Sequence, residues 1–136
     1  MRLEVTRRAD LATRAMLVLA DHVDRVKGAE LAERLDASPG FLAQAMTPLV
    51  DREWVRSEPG PTGGYGLAVD LADVTVLDVI EAVEGPTDTR RCVLEDRACL
   101  GGGPCALHQP WSRARTLLLG ELASTSLASL AEADGP

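Results

Sequence analysis

Lysine is almost missing from this chain: its fourteen basic side chains are thirteen arginines and Lys27. Lys27 is followed by Gly28-Ala29 and lacks the preceding glycines, which excludes a GxxxxGK phosphate loop. Histidine is nearly as scarce, with only His22 and His108 as imidazole bases. No nucleophile–base pair stands out, so an enzyme is not expected. Long apolar runs are lacking too. The longest, Ala15 to Ala20, is far short of the ~20 residues that span a bilayer. No basic–apolar–small leader opens the chain, and a cytoplasmic protein without a membrane partner is the expectation. Positive charge is in deficit, with 14 basic against 21 acidic side chains and a net charge of −7. That balance excludes an indiscriminate nucleic-acid coat, because phosphate backbones attract net positive surfaces.

What is present is 136 residues with a 46% hydrophobic share, enough for one domain with an added arm or dimerisation element. Thr6 reads as the N-cap of a helix from about Thr6 to His22, its apolar face built from Leu11, Ala12, Ala15, Met16, Val18, Leu19 and Val23. A second helix spans about Gly28 to Leu35. Ser38 then reads as an N-cap with Pro39 at the first helical position, opening a third helix. Pro48 inside it removes a backbone donor and is expected to kink or shorten it. Trp54 to Ser57 and Tyr65 to Val69 read as two strands around a turn dense in glycine and proline. Thr75 caps a helix from Val76 to Glu84. From about Pro110 one long helix is expected, with Leu107, Trp111, Ala114, Leu118, Leu122 and Thr125 stepping by three and four, before a frayed tail from Ala131. The expected fold is mostly α with a small β-hairpin wing: a winged helix-turn-helix plus a long C-terminal dimerisation helix. The organisation is a winged helix-turn-helix over 1–70, a connecting helix over 71–86, a cysteine-bearing loop over 87–108, and a dimerisation helix and tail over 109–136.

In such a fold the second helix of the motif enters the major groove of DNA by its N-terminal turns. Gly40, Ala43, Gln44 and Thr47 face outward there, behind Ser38 and Pro39. Gln44 can pair with adenine through both amide atoms, and Thr47 can touch a base or a phosphate. Thr62, Gly63, Gly64 and Tyr65 form the wing, whose tip from Pro61 to Gly64 is expected to expose backbone N–H groups. Arg7, Arg8, Arg14, Lys27, Arg52 and Arg56 are the candidates for neutralising the DNA backbone. The plainer alternative is a small helical domain with a few solvated arginines that binds protein instead. Residues 1–70 carry nine basic and eleven acidic side chains and residues 71–136 five and ten, so the acidity lies mostly outside the reading head.

All three cysteines fall within fourteen residues, in the pattern Cys92-x6-Cys99-x5-Cys105-x2-His108. An odd, clustered set does not make a disulfide framework, which needs pairs that close useful loops. Thiolates are soft donors that suit iron–sulfur clusters or zinc, and imidazole suits both. Zinc fingers usually space their cysteines by two to four residues, so these spacings favour a cluster. Gly101 to Gly103 allow a loop to wrap it and to aim N–H groups at sulfur. A zinc site and metal-free reactive thiols remain alternatives.

The stretches Ala9-Asp10-Leu11-Ala12-Thr13-Arg14-Ala15, Ser38-Pro39-Gly40-Phe41-Leu42, Gly60-Pro61-Thr62-Gly63-Gly64-Tyr65 and Leu77-Asp78-Val79-Ile80-Glu81-Ala82-Val83-Glu84-Gly85-Pro86, with the three cysteines, resemble the iron–sulfur transcription regulators of the IscR/NsrR type over roughly residues 1–130. The resemblance implies a homodimer on operator DNA, its long C-terminal helices crossed so that each cluster lies near the partner's reading head. Cys92, Cys99 and Cys105 match three cluster ligands. The fourth falls on His108, as in the branch with a 2Fe–2S cluster, or on Asp10 supplied by the other subunit, as in the nitric-oxide-sensing branch with a 4Fe–4S cluster. The chain departs from the family pattern at Ala43, where an acidic residue is common, at Pro59, where the wing carries an arginine, at Glu53, where a glycine commonly ends the helix, and at Pro48.

Overall fold

The computed structural model describes residues 3–87 and 105–133. Cys92, Cys99 and the glycines 101–103 therefore lie outside the described residues, as do 134–136 of the expected tail.

The first helix, α1 (Arg7–Ala20), begins where the Thr6 hydroxyl accepts the Ala9 N–H at 3.1 Å. It buries Leu11, Ala12, Ala15, Met16 and Leu19 along one face. It stops two residues before the expected His22, because the chain tightens there: the His22 N–H turns back to the Leu19 carbonyl, and its ring Nδ1 meets the Val18 carbonyl. Two further helices follow, α2 (Gly28–Arg34) and α3 (Pro39–Asp51). The turn between them carries Asp36 at φ 53°, a left-handed position that aspartate tolerates better than most side chains. Ser38 caps α3 through its hydroxyl, which accepts the Phe41 N–H at 3.2 Å. The helix runs on for three residues past Pro48, so it is not shortened there. The carbonyl that Pro48 leaves without its helical donor belongs to Gln44, which is exposed to water. Glu53 then takes φ 61° just after the helix, the left-handed geometry that glycine commonly supplies at this point.

The strands β1 (Val55–Glu58) and β2 (Gly64–Leu67) pair antiparallel, with Val55 opposite Leu67 and Glu58 opposite Gly64. β1 lies one residue later than its sequence expectation, and β2 starts one residue and ends two residues earlier than expected. Val26 joins the hairpin as a single bridge, exchanging both backbone hydrogen bonds with Tyr65 at 2.8 and 2.9 Å. After a short 3-10 turn, α4 (Val76–Glu84) starts on a reciprocal cap: the Thr75 hydroxyl accepts the Asp78 N–H, and the Asp78 carboxylate accepts the Thr75 N–H.

The C-terminal region departs from the expected single long helix. It consists of α5 (His108–Ala123) and a separate α6 (Leu127–Ala133). The break follows from three consecutive hydroxyl side chains. Ser124 and Thr125 donate back to the Gly120 and Glu121 carbonyls, and Ser126 accepts the Ser129 N–H to start a new helix. The turn also docks on the start of α4, with the Val76 N–H donated to Thr125 and the Leu127 N–H to Val74, both at 2.9 Å. Leu127 is thereby fully buried beside α1 and the 3-10 turn. The core draws on α1, α2, α3, α4, the wing and α6, whereas α5 contributes no buried residue. No helix among the described residues is long and apolar enough to cross a membrane.

Candidate functional site

The face of α3 turned away from the core presents Ser38, Pro39, Gly40, Ala43, Gln44 and Thr47, all exposed. Its opposite face, with Leu42, Ala45, Met46 and Leu49, is buried against α1, α2 and α4. The Gln44 amide makes no hydrogen bond among the described residues and is available to a ligand. The Thr47 hydroxyl donates to the Ala43 carbonyl at 2.9 Å, which leaves its lone pairs outward. Lys27 stands exposed just before α2, and Arg56 exposed on β1.

The other basic side chains have distinct fates. Arg7 lies with its guanidinium 5.8 Å from the centre of the Phe41 ring, at the first turn of α3. Arg52, at the far end of α3, lies 5.6 Å over the Trp54 ring. Arg8 instead turns inward and donates to the Val83 carbonyl at 2.7 Å. A cation there satisfies a carbonyl in the last turn of α4 and complements the negative end of its dipole. Arg14 pairs with Asp10 at 3.8 Å along α1. The sequence reading passed over Arg25, which pairs with Glu58 and so fastens the loop before Val26 to the wing. Only the fold brings these two residues together, and no local pattern signals it.

The wing glycines serve its shape. Gly63 is buried, its N–H is donated to Gly60 at 3.0 Å, and a Cβ there would meet the Glu58 carbonyl oxygen. Gly64 sits at φ 138°, where a Cβ would approach the Val26 carbonyl oxygen to 2.5 Å. The Tyr65 N–H is already given to Val26. The expectation that the tip exposes its N–H groups is therefore corrected at Gly63, whose donor closes the turn. Pro61 and Thr62 are the exposed residues of the tip. Below it, a cleft of about 260 Å³ opens between the wing and the start of α2, lined by Lys27, Ser57, Glu58 and Tyr65 among others.

Of the expected ligands, Cys105, His108 and Asp10 are described. Cys105 is half-buried and precedes α5 by one turn, and its carbonyl accepts the His108 N–H at 3.0 Å. His108 is the first residue of α5 and is half-buried. Asp10 is exposed on α1. Among the described residues no three His, Cys, Asp or Glu side chains converge on one point. Beside this segment, Arg115 of α5 donates to the Thr87 hydroxyl at 3.3 Å, and Thr87 donates to Glu81 of α4.

A family model described as Rrf2, iron-dependent transcriptional regulator, matches residues 5–133. The chain belongs to the Rrf2 family. A relative named HTH-type transcriptional regulator IscR, from Photorhabdus laumondii, is 34% identical over 130 residues, which cover 94% of this chain and 79% of the relative. Among solved structures, T. potens IscR matches with a TM-score of 0.77 at 26% identity, covering 98% of this chain and 89% of that one. CymR, the global cysteine regulator of B. subtilis, matches with the same TM-score and identity, covering 98% and 100%. The Rrf2 assignment makes the molecule a DNA-binding, winged-helix transcriptional regulator and not an enzyme.

Proposed function

We infer that this Rrf2 protein is a homodimeric repressor whose grip on operator DNA is set by an iron–sulfur cluster. The reading rests most on the chemistry of its donors: three thiols at cluster spacing, the last of them one helical turn before an imidazole at the head of α5. Cys92, Cys99 and Cys105 would hold the cluster, with His108 or the Asp10 of the other subunit as fourth ligand. When bound, it would supply a centre altered by nitric oxide, oxidants or iron loss. The protein's own part is mechanical. Thr87, which leads into the cysteine segment, donates to Glu81 of α4 and accepts from Arg115 of α5. A change in that segment therefore bears directly on the helix that carries the dimer and on the helix that packs against α1 and α3.

Dimerisation is supported by α5, which has no fully buried residue and leaves Leu117 73% exposed. Gln44 and Thr47 would read base edges, with Ser38, Pro39, Gly40, Lys27, Arg56 and the wing at Thr62 along the backbone. Anaerobic purification with iron and sulfide analysis tests the reading, alongside Asp10→Ala and His108→Ala. Loss of the cluster in one variant alone names the fourth ligand. Equal operator affinity of cluster-loaded and apo-protein overturns the coupling.

One observation favours a second reading: CymR, a cysteine regulator, matches the fold as well as T. potens IscR does. In that reading the thiols act without iron, through oxidation or zinc. Colourless protein with zinc and no acid-labile sulfide selects the zinc version. A response abolished by alkylation of metal-free protein selects the thiol version.

A further inference from the structure

Every described arginine of the reading head that meets a carboxylate has its charge met in place: Arg14 by Asp10, Arg25 by Glu58 and Arg34 by Glu30. Arg8 is committed to the Val83 carbonyl. Arg7 and Arg52 differ from all of these. Each is exposed, neither has a carboxylate partner among the described residues, and each rests on an aromatic ring. Phe41 and Trp54 are themselves half-buried and packed on the core, so the platforms are rigid. A guanidinium on such a face keeps its full charge and its outward N–H donors while its long side chain loses freedom before any ligand arrives.

Their placement relative to α3 is not symmetrical. Phe41 and Arg52 are eleven residues apart, which is about 16 Å along the axis and within about 20° around it. Phe41, on which Arg7 rests, and Arg52 itself thus mark one flank of α3, to one side of the reading face formed by Gly40, Gln44 and Thr47 and away from Ala43. A helix seated in the major groove presents its flanks to the two groove walls, each wall being the phosphate backbone of one strand.

We propose that Arg7 and Arg52 are a preorganised pair of phosphate contacts that grip one strand at both ends of the reading helix, with the aromatic rings of Phe41 and Trp54 as positioning residues. The pair fixes the register of α3 in the groove and leaves the choice of bases to Gln44 and Thr47. This rests on α3 being the DNA-facing helix. It would let a chain of net negative charge hold DNA, since a few unneutralised, prepositioned cations replace a general positive surface.

The test uses the full-length protein and a short duplex recovered by selection from a random pool, with an unrelated duplex beside it. Removing one phosphate contact flattens log affinity against log salt by about 0.9, roughly twice that for a dimer. Arg7→Ala and Arg52→Ala should each show this flattening on both duplexes, with the selected sequence unchanged. Arg7→Lys and Arg52→Lys should restore the slope yet bind several-fold more weakly, because a lysine does not stack as a planar fork. Methylphosphonate substitution, phosphate by phosphate, should show both arginines losing their partners on the same strand of a half-site. Unchanged slopes in both alanine variants, with steep wild-type binding, overturn the proposal and leave the DNA-facing role of α3 standing. Partners on opposite strands overturn the single-wall grip. Salt-independent binding by the wild type overturns both the pair and the reading beneath it.

Discussion

Arg7 and Arg8 are neighbours in sequence with opposite destinations, one over the Phe41 ring and one on the Val83 carbonyl. Local sequence gives both the same reading, as basic side chains at the start of a helix, and only the docking of α4 on α1 separates them. Arg8→Ala is expected to cost about 1–2 kcal/mol, the worth of a charge-assisted hydrogen bond, seen as a lower urea midpoint. The salt dependence of DNA binding should not move. At Gly64 the constraint is steric, with φ 138° and the Val26 carbonyl 2.5 Å from any Cβ. Gly64→Ala should therefore cost about 2 kcal/mol or more. A melting temperature equal to wild type would contradict that account. The wing glycines were legible as a turn, but the crowding at Gly64 comes from Val26, a residue nearly forty positions away.

Helix starts were written plainly in the chain. Thr6, Ser38 and Thr75 all cap as their side chains require, because a cap is settled within four residues. The end of the molecule was not legible in the same way. Apolar residues continue at helical spacing through Leu118 and Leu122, and this periodicity hides the break at Ser124 to Ser126. Three successive hydroxyls carried the signal, and their competition with the backbone is decided by the docking of the turn against Val74 and Val76. The element created there, α6, places Leu127 in the core with none of its surface exposed. Leu127→Ala is expected to lose about 2–5 kcal/mol by chemical denaturation, a large effect for a residue so near the chain end. A loss below about half a kcal/mol would show α6 to be a loose appendage.

At the scale of the whole molecule, the core lies in the helices and wing around α1, whereas α5 has no fully buried residue. Leu117 and Leu118 remain 73% and 46% exposed. Leu117→Glu with Leu118→Glu is expected to leave helix content unchanged while converting a dimer to monomer in sedimentation. Persistence of the dimer would place the interface elsewhere. The net charge of −7 is also explained at this scale. Acidity in the second half limits indiscriminate attraction to DNA, while the head keeps a few cations with no carboxylate partner among the described residues.

The contact between residues 74–76 and 125–127 also sets an order of events during synthesis. A ribosome delivers α1 to α4 first, then all three cysteines, and only afterwards Leu127, which closes the core between α1 and the 3-10 turn. Domains fold as units as they emerge. The helical head of this protein consequently finishes folding after its cysteine segment has been made. A chain interrupted before the cysteines lacks the residue that completes its head, so translation does not readily yield a folded helix-turn-helix head without the cysteine segment.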